Sequence, residues 1–506
     1  MNLEPIIGLE IHIQLKTKSK MFCSCSNSGE NEPANTTVCP ICLGHPGTLP
    51  VVNEAAVKMG VKLALALALG INKKSVWARK NYFYPDLAKG YQISQYKEPL
   101  ASDGHLTVVV NEEEERIGIE RLHLEEDAAK NFHSKDATLV DYNRAGTPLA
   151  EIVTKPEIKS PAVAKAFLQE LRLLARYLKV SDADMEKGHL RCDANISLRP
   201  VPSGAEGPIG ETKLYPKTEI KNINSFKFVE KALNYEIKRQ TELWNLGTPP
   251  NTQSTRGWDE QAMKTVEQRD KEESADYRYF PEPDLPSLIF TVQQIKAVQA
   301  ELPELPRAKK LRFIKEYQAS AMDAKILVED EAIADYFEKA VSEARAWLEA
   351  TGDSLGTSEE IWQLNGKKIT KLVSGWILSE LFKLMNEAGQ GVYDLKITPE
   401  NFAEFIILVY QRKVNSSAAQ LILKKMFVTG GDPSHIMEED DLAQVDDETA
   451  LAAAVEKIIN DNFKQVSDYK AGKTPLLKFF IGLAMKELKG KADPEKLAEL
   501  FRQKLS

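Results

Sequence analysis

Three segments of this sequence alternate apolar and polar residues without interruption, and they limit the available folds more than anything else in it. In Leu9-Glu10-Ile11-His12-Ile13-Gln14-Leu15 the apolar side chains share one face of an extended strand, and Glu10, His12 and Gln14 share the other. His189 to Leu198 repeats the pattern, with Leu190, Cys192, Ala194, Ile196 and Leu198 on one side and His189, Arg191, Asp193, Asn195 and Ser197 on the other. Arg121-Leu122-His123-Leu124-Glu125 is a third case. Such alternation predicts antiparallel strands with one face packed and one wet. Helices are expected to cover the packed face. One is expected from about Asn53 to Gly70, with a polar cap before it and Gly closing it. Another follows Ser160-Pro161, a capping residue and a Pro at the first helical position, and a third runs from near Ser225 to about Leu246.

From about Val292 the pattern turns helical, so the chain is expected to be of the α+β class. Asp323 to Lys339 and Trp362 to Glu387 carry apolar residues at spacings of three and four. Ser342 to Glu360, rich in Glu, Ser and Gly, is expected to be a loop or a poorly fixed insertion. Thr398 opens a last helical region that ends in Pro475 to Ala484 and Pro494 to Leu505, and no internal repeat is visible. A chain of 506 residues is too long for one core, which seldom grows past roughly 250–300 residues. The longest apolar run, Leu63 to Leu69, is far short of the ~18–20 residues that cross a bilayer. With no leader-like segment before Ile6, a cytoplasmic location is expected and no membrane partner.

Four of the five cysteines lie between Cys23 and Cys42. The pairs Cys23-x-Cys25 and Cys39-x-x-Cys42 have the spacing of a tetrahedral thiolate site, which zinc favours, and such a site is structural because no coordination position stays open. The plain alternative is four reduced cysteines in a loop. Glu10, His12, Glu125, Glu151, Asp193 and Glu219 all fall in strand-like segments. Carboxylates gathered on one face repel unless a cation is present, so the face suits Mg²⁺ and a nucleotide; the alternative is a solvated face with scattered charge. Arg79-Lys80-Asn81-Tyr82-Phe83-Tyr84-Pro85-Asp86-Leu87-Ala88-Lys89-Gly90-Tyr91-Gln92 mixes cations, aromatics and amides around a turn. It suits a phosphate or nucleobase loop or the wall of a polar tunnel, and equally a structured surface loop. No Walker-type Gly-rich loop is present, so ATP would be held some other way. The formal net charge of −8 is unusual for a nucleic-acid binder. It is unevenly spread: Met437 to Glu448 has seven acids and no base, whereas Lys470 to Ser506 has nine bases and four acids.

Many of these segments, in this order, resemble the GatB/GatE family, the amidating chains of the glutamine-dependent aminoacyl-tRNA amidotransferases, here of the GatB type. The resemblance is carried by Gly8-Leu9-Glu10-Ile11-His12, Cys39-Pro40-Ile41-Cys42-Leu43-Gly44, Arg79 to Gln92 and Leu122-His123-Leu124-Glu125-Glu126-Asp127. It continues through Asp141-Tyr142-Asn143-Arg144-Ala145-Gly146-Thr147-Pro148-Leu149, Glu151-Ile152-Val153-Thr154 and Arg191-Cys192-Asp193-Ala194-Asn195-Ile196-Ser197. Glu219-Ile220-Lys221-Asn222-Ile223-Asn224-Ser225-Phe226, Asp276 to Leu285 and Gly490-Lys491-Ala492-Asp493-Pro494 complete it, over nearly the full chain.

The resemblance implies a cradle-shaped antiparallel-sheet domain over residues 1–292, an all-helical domain over 293–400 and a small YqeY-like helical tail over 401–506 that contacts tRNA. It implies ATP-dependent phosphorylation of the carboxylate of Glu or Asp esterified to tRNA(Gln) or tRNA(Asn), then displacement of phosphate by ammonia. The ammonia comes from a separate amidase chain (GatA), and a small third chain (GatC) makes up a heterotrimer. The implied cofactors are ATP, Mg²⁺ and a structural Zn²⁺ on Cys23, Cys25, Cys39 and Cys42. Mg²⁺ is expected on His12, Glu125 and Glu151, with Glu10, Asp193 and Glu219 helping to hold a second cation or orient water. Lys80, Tyr82 and Lys89 are expected at the ammonia channel or the substrate. Ala88 and Ala150 stand where the family often has Pro and a larger residue, and Ala275 where His is common, so no role passes to that position. Two other classes compete. A zinc-stabilised RNA-binding module would use the cysteines and the basic tail, but the five acids beside His12 would repel phosphates. A Mg²⁺-dependent kinase of small carboxylates would use the sheet face and leave the tail without a purpose.

Overall fold

A computed structural model describes residues 2–201, 214–270, 276–351, 357–444, 448–488 and 491–505. Ala275, residues 202–213, Gly490 and part of the acidic run before Glu448 therefore lie outside the described residues. The chain divides into two units, Met1–Leu305 and Pro306–Ser506.

In the first unit the strands are β1 (Leu3–Gln14), β2 (Gly70–Ile71), β3 (Lys74–Ser75), β4 (Trp77–Asn81), β5 (Tyr91–Gln95), β6 (Ala101–Val110) and β7 (Glu113–Glu126). They are followed by β8 (Lys130–His133), β9 (Thr138–Asp141), β10 (Pro148–Thr154), β11 (Leu190–Pro200), β12 (Thr218–Lys221), β13 (Ser254–Asp259), β14 (Lys264–Asp270), β15 (Phe280–Pro281) and β16 (Leu288–Ile289), the last paired with β3. Nine of them form one sheet in the order β14-β13-β12-β11-β1-β10-β7-β6-β2. Its pairs are antiparallel except β12–β13, which is parallel. A parallel pair needs a long crossover, and α3 (Phe226–Asn245) supplies it.

Ile7, Leu9, Ile11 and Ile13 of β1 are buried under α1 (Glu54–Ala66), α2 (Pro161–Tyr177) and α3, as the alternation requires. The Ser160 hydroxyl caps α2 by accepting from the Val163 N–H at 3.3 Å, and Ser225 caps α3 in the same way. Helix α1 does not reach Gly70: Ala68 turns into the left-handed region at φ +53°, and Gly70 already begins β2. A second sheet, β15-β4-β5, contacts the polar face of β7. The face expected to be wet is therefore largely buried there. Among the described residues no helix is long and apolar enough to cross a membrane.

Helix α4 (Val292–Ala300) packs on α1 within the first unit. The second unit is helical, with α5 (Pro306–Glu316), α6 (Ala321–Leu327), α7 (Glu331–Thr351) and α8 (Ser358–Trp376). A π-helical turn, Ile377–Leu381, leads into α9 (Phe382–Ala388), α10 (Pro399–Tyr410), α11 (Ser416–Thr429) and α12 (Pro433–Glu439). The tail holds α13 (Glu448–Asp461), α14 (Phe463–Lys470), α15 (Leu476–Glu487) and α16 (Pro494–Leu505). The expected loop at Ser342 to Glu360 is corrected in part, because α7 continues to Thr351 and α8 starts at Ser358, with 352–356 outside the described residues. Ile333, Phe337, Ala340, Val341, Ala344 and Leu348 form one buried stripe along α7, so the glutamates and serine of its second half belong to the outer face of a helix. The unit has two apolar cores, one from Phe313 to Ile436 and one from Leu451 to Leu505.

Candidate active site

Register puts His12 of β1 opposite Glu151 of β10, and Glu151 opposite His123 of β7. Directly paired residues of an antiparallel ladder project to the same side, so the three form a row across adjacent strands. Glu125 follows His123 by two residues and returns to that face. The His12 Nε2 lies 3.4 Å from Glu125 Oε1 and 3.3 Å from Glu151 Oε2. The His123 Nε2 lies 3.1 Å from Glu151 Oε2 and 3.7 Å from Glu125 Oε2. Glu125, Glu151 and His123 are all buried.

The electrostatics follow from this crowding. Burial pulls the His12 imidazolium down, but the hydrogen bonds to Glu125 and Glu151 outweigh it and hold the ring up at about 10. His123 is raised to about 9 against the same burial. Burial pushes the Glu125 carboxyl up, yet its contacts with His12 and His123 bring it below the ordinary carboxylate range, and Glu151 is lowered in the same manner. Glu10 is raised, first by burial and then by the charge of Glu151.

The six expected residues do not form one group. Glu10, His12 and Glu151 come together, as do His123, Glu125 and Glu151, so Glu151 is common to both. Asp193 and Glu219 lie on β11 and β12 and share the Lys221 ammonium at 2.7 and 3.2 Å. Glu219 also accepts from the Thr255 hydroxyl at 3.0 Å. Arg191, opposite His12 on β11, is held by buried Asp127 at 2.8 Å.

Lys80, Tyr82 and Lys89 also divide. Lys80 faces Glu125 and Glu151; burial opposes its charge, those carboxylates outweigh it, and its ammonium is held above its ordinary value. Its Nζ sits 4.9 Å from the Tyr277 ring centre. Burial pushes the Tyr82 and Tyr279 hydroxyls up to about 12. Lys89 instead pairs with Glu126, whose carboxylate also accepts the Ile93 N–H at 2.9 Å. It lines a cavity of about 80 Å³ together with Cys42, Gly44 and Tyr91.

The four sulfurs of Cys23, Cys25, Cys39 and Cys42 lie within 4.8 Å of one another. Thiolates about 2.3 Å from one zinc stand about 3.8 Å apart, and the Cys39 and Cys42 sulfurs are 3.9 Å apart. The donor set fits zinc. A turn supports it, in which Leu43 N–H donates to Cys39 O at 3.0 Å and Gly44 adopts φ +67°. A Cβ at Gly44 would come within 2.9 Å of the Lys89 Cα, so the close approach needs glycine. Lys20 lies beneath the cluster with no exposed surface, and its Nζ is 3.8 Å from Cys42 Sγ and 3.4 Å from Tyr142 O. Cys42 is drawn down to about 4, first by its contact with Cys23, against burial and with help from the Cys39 N–H and the Lys20 charge.

Sequence reasoning missed His123, Arg191, Asp127, Lys221 and Lys20 as parts of these sites. For His123 and Arg191 the signal was present, since both stand on the polar parity of segments already recognised as alternating.

Residues 5–296 match the family model described as the GatB/GatE catalytic domain, and residues 359–505 match the one described as the GatB domain. The chain belongs to the GatB/GatE family. It is similar to the B subunit of the aspartyl/glutamyl-tRNA(Asn/Gln) amidotransferase of Persephonella marina, 45% identical over 505 residues and covering 100% of both chains. The protein of the same name from Thermodesulfovibrio yellowstonii is 45% identical over 502 residues, 99% of each chain. That from Thermotoga neapolitana is 44% identical over 511 residues, 100% of this chain and 99% of the relative.

Proposed function

We propose that this chain is the amidating component of an aspartyl/glutamyl-tRNA(Asn/Gln) amidotransferase and that its β-sheet face carries the ATP-dependent step. The observation that carries this reading is the meeting of Glu125 and Glu151 on His12, three residues of the family's catalytic domain joined by strand register. The carboxylate of the misacylated residue attacks the γ-phosphorus of ATP, giving an acyl phosphate and ADP. Ammonia then adds at the acyl carbon, phosphate leaves with the C–O bond electrons, and the nitrogen loses its extra proton. Phosphoryl transfer depends chiefly on positioning and on neutralising oxygen charge.

Glu10, His12, Glu125 and Glu151 are the residues that would hold a divalent cation, which when bound neutralises phosphate oxygens. The carboxylates fit Mg²⁺, a hard ion that prefers oxygen. Lys80, Arg191 and Lys221 supply fixed positive charge along the same face and orient the anionic reactants. Lys80 acts as a cation, because the carboxylates it faces keep it protonated. The buried walls from β4 and β5 keep water from the acyl phosphate, and Ser94 fixes Glu125 with a 3.1 Å hydrogen bond. The cysteine cluster holds a structural zinc. Ammonia reaches this chain from an amidase partner, a third, small protein makes up the heterotrimer, and the basic tail meets the tRNA backbone in the cytoplasm.

The test is ATP hydrolysis by the heterotrimer with and without Glu-tRNA(Gln), across a Mg²⁺ titration. Stimulation by the charged tRNA, lost in His12→Ala, is expected. Absence of stimulation while the glutaminase is active would leave the chain a tRNA-holding scaffold.

A further inference from the structure

We propose that His123 is a direct metal ligand through Nε2, so that the cation site on this face is a mixed imidazole–carboxylate centre in which Glu151 is the shared ligand. The inference rests on the reading that this face binds a divalent cation. It adds a nitrogen donor that strand alternation alone leaves as one polar residue among several.

The geometry points there in three ways. Ligands about 2.1 Å from one ion lie about 3.0 Å apart in an octahedron and about 3.4 Å apart in a tetrahedron. The His123 Nε2 stands 3.1 Å from Glu151 Oε2, within that range, and 3.7 Å from Glu125 Oε2, a little beyond it, where His12 stands at 3.3 and 3.4 Å. His123, Glu125 and Glu151 also form a compact three-donor group by themselves, without His12. Finally, His123 is only 4% exposed and its Nδ1 meets no hydrogen-bond partner among the described residues. The Nε2 edge, which faces the two carboxylates, is thus the polar edge that fixes the ring.

The chemical class of the ion follows. A site built of oxygens alone suits Mg²⁺, whereas imidazole donors favour first-row transition ions. His12 already brings one imidazole to this face, and a second beside Glu125 and Glu151 adds a nitrogen donor from which Mg²⁺, the ion most partial to oxygen, gains least. The second imidazole should widen the margin of Mn²⁺ over Mg²⁺.

The experiment uses the full chain in its heterotrimer, with crystals soaked in Mn²⁺ alone. Anomalous diffraction at the manganese edge is expected to place a peak about 2.2 Å from His123 Nε2, in contact also with Glu151. A peak held by His12, Glu125 and Glu151 but more than about 3 Å from His123 Nε2 would overturn this inference and leave the cation reading intact. No peak on the face at saturating Mn²⁺ would overturn both. In solution, nitrogen modulation in the pulsed EPR of bound Mn²⁺ should weaken in His123→Gln with His12 present. Mn²⁺ affinity should fall about tenfold or more, and Mg²⁺ affinity should fall less. Unchanged nitrogen modulation and unchanged Mn²⁺ affinity in that variant would overturn the proposal.

Discussion

Lys20 has no exposed surface, yet it carries an ammonium against the sulfur of Cys42. A zinc bound by four thiolates has a net charge of −2, and a buried cation beside it offsets part of that. Lys20→Met keeps the length of the side chain and removes the charge. It should speed zinc loss to a chelator about 10–100-fold, the range typical for outer partners of metal ligands, while the far-ultraviolet circular dichroism stays that of the parent. Zinc retention equal to the parent would show that the lysine fills space only. Glu125 sits where two imidazoles and Ser94 converge. Glu125→Gln should abolish ATP-dependent amidation in the heterotrimer and spare glutamine hydrolysis by the amidase partner; equal loss of both would count against a role confined to this face.

At the scale of elements, one close approach fixes how α1 meets the sheet. His105 N–H donates to Leu67 O at 2.9 Å, just past the end of α1. A Cβ on the preceding residue, Gly104, would lie 2.5 Å from that same carbonyl oxygen. The obstacle is backbone, so Gly104→Ala should cost about 1–3 kcal/mol, read as a lower urea midpoint with unchanged slope. An unshifted midpoint would mean that this edge gives way. Similarly, Ser160→Ala removes the α2 cap and should cost about 1 kcal/mol, seen in the same assay; the cap contributes nothing if the midpoint holds. Elements of this kind were legible where local chemistry decides them: the Ser160-Pro161 start of α2, the Ser225 start of α3 and the alternating β1 and β11 are all where the pattern puts them. The reversal at Ala68 was not legible, because a left-handed alanine is imposed by packing and Gly70 was the more obvious stop. The second half of α7 was hidden for a different reason: Ser342, Glu343 and Glu349 of its outer face run on into Gly352, Ser354 and Gly356, so the whole stretch has a loop-like composition. Parity put His12 and Glu125 on the polar sides of their own strands, and the family resemblance added Glu151. Which carboxylate meets which cation depends on register between strands far apart in sequence. For that reason the Lys221 ammonium between Asp193 and Glu219 was not foreseen.

Across the whole molecule, the helical unit has cores of its own. Residues 306–506 expressed alone should therefore give a helical circular dichroism spectrum and a cooperative thermal transition. A broad, non-cooperative melt would show that this unit depends on the first. The first unit is bound by a different constraint. Its central strand, β1, pairs with β11 from Leu3 opposite Pro200 to Ile13 opposite Leu190, and on its other edge with β10. A ribosome adding about 5–20 residues per second needs roughly 10–40 s to travel from one partner to the other. For all that time the edge of β1 that pairs with β11 has no strand to bond, and its other edge waits for β10. A chain stopped before β11 therefore exposes a long unpaired strand edge, the kind of surface on which chains associate.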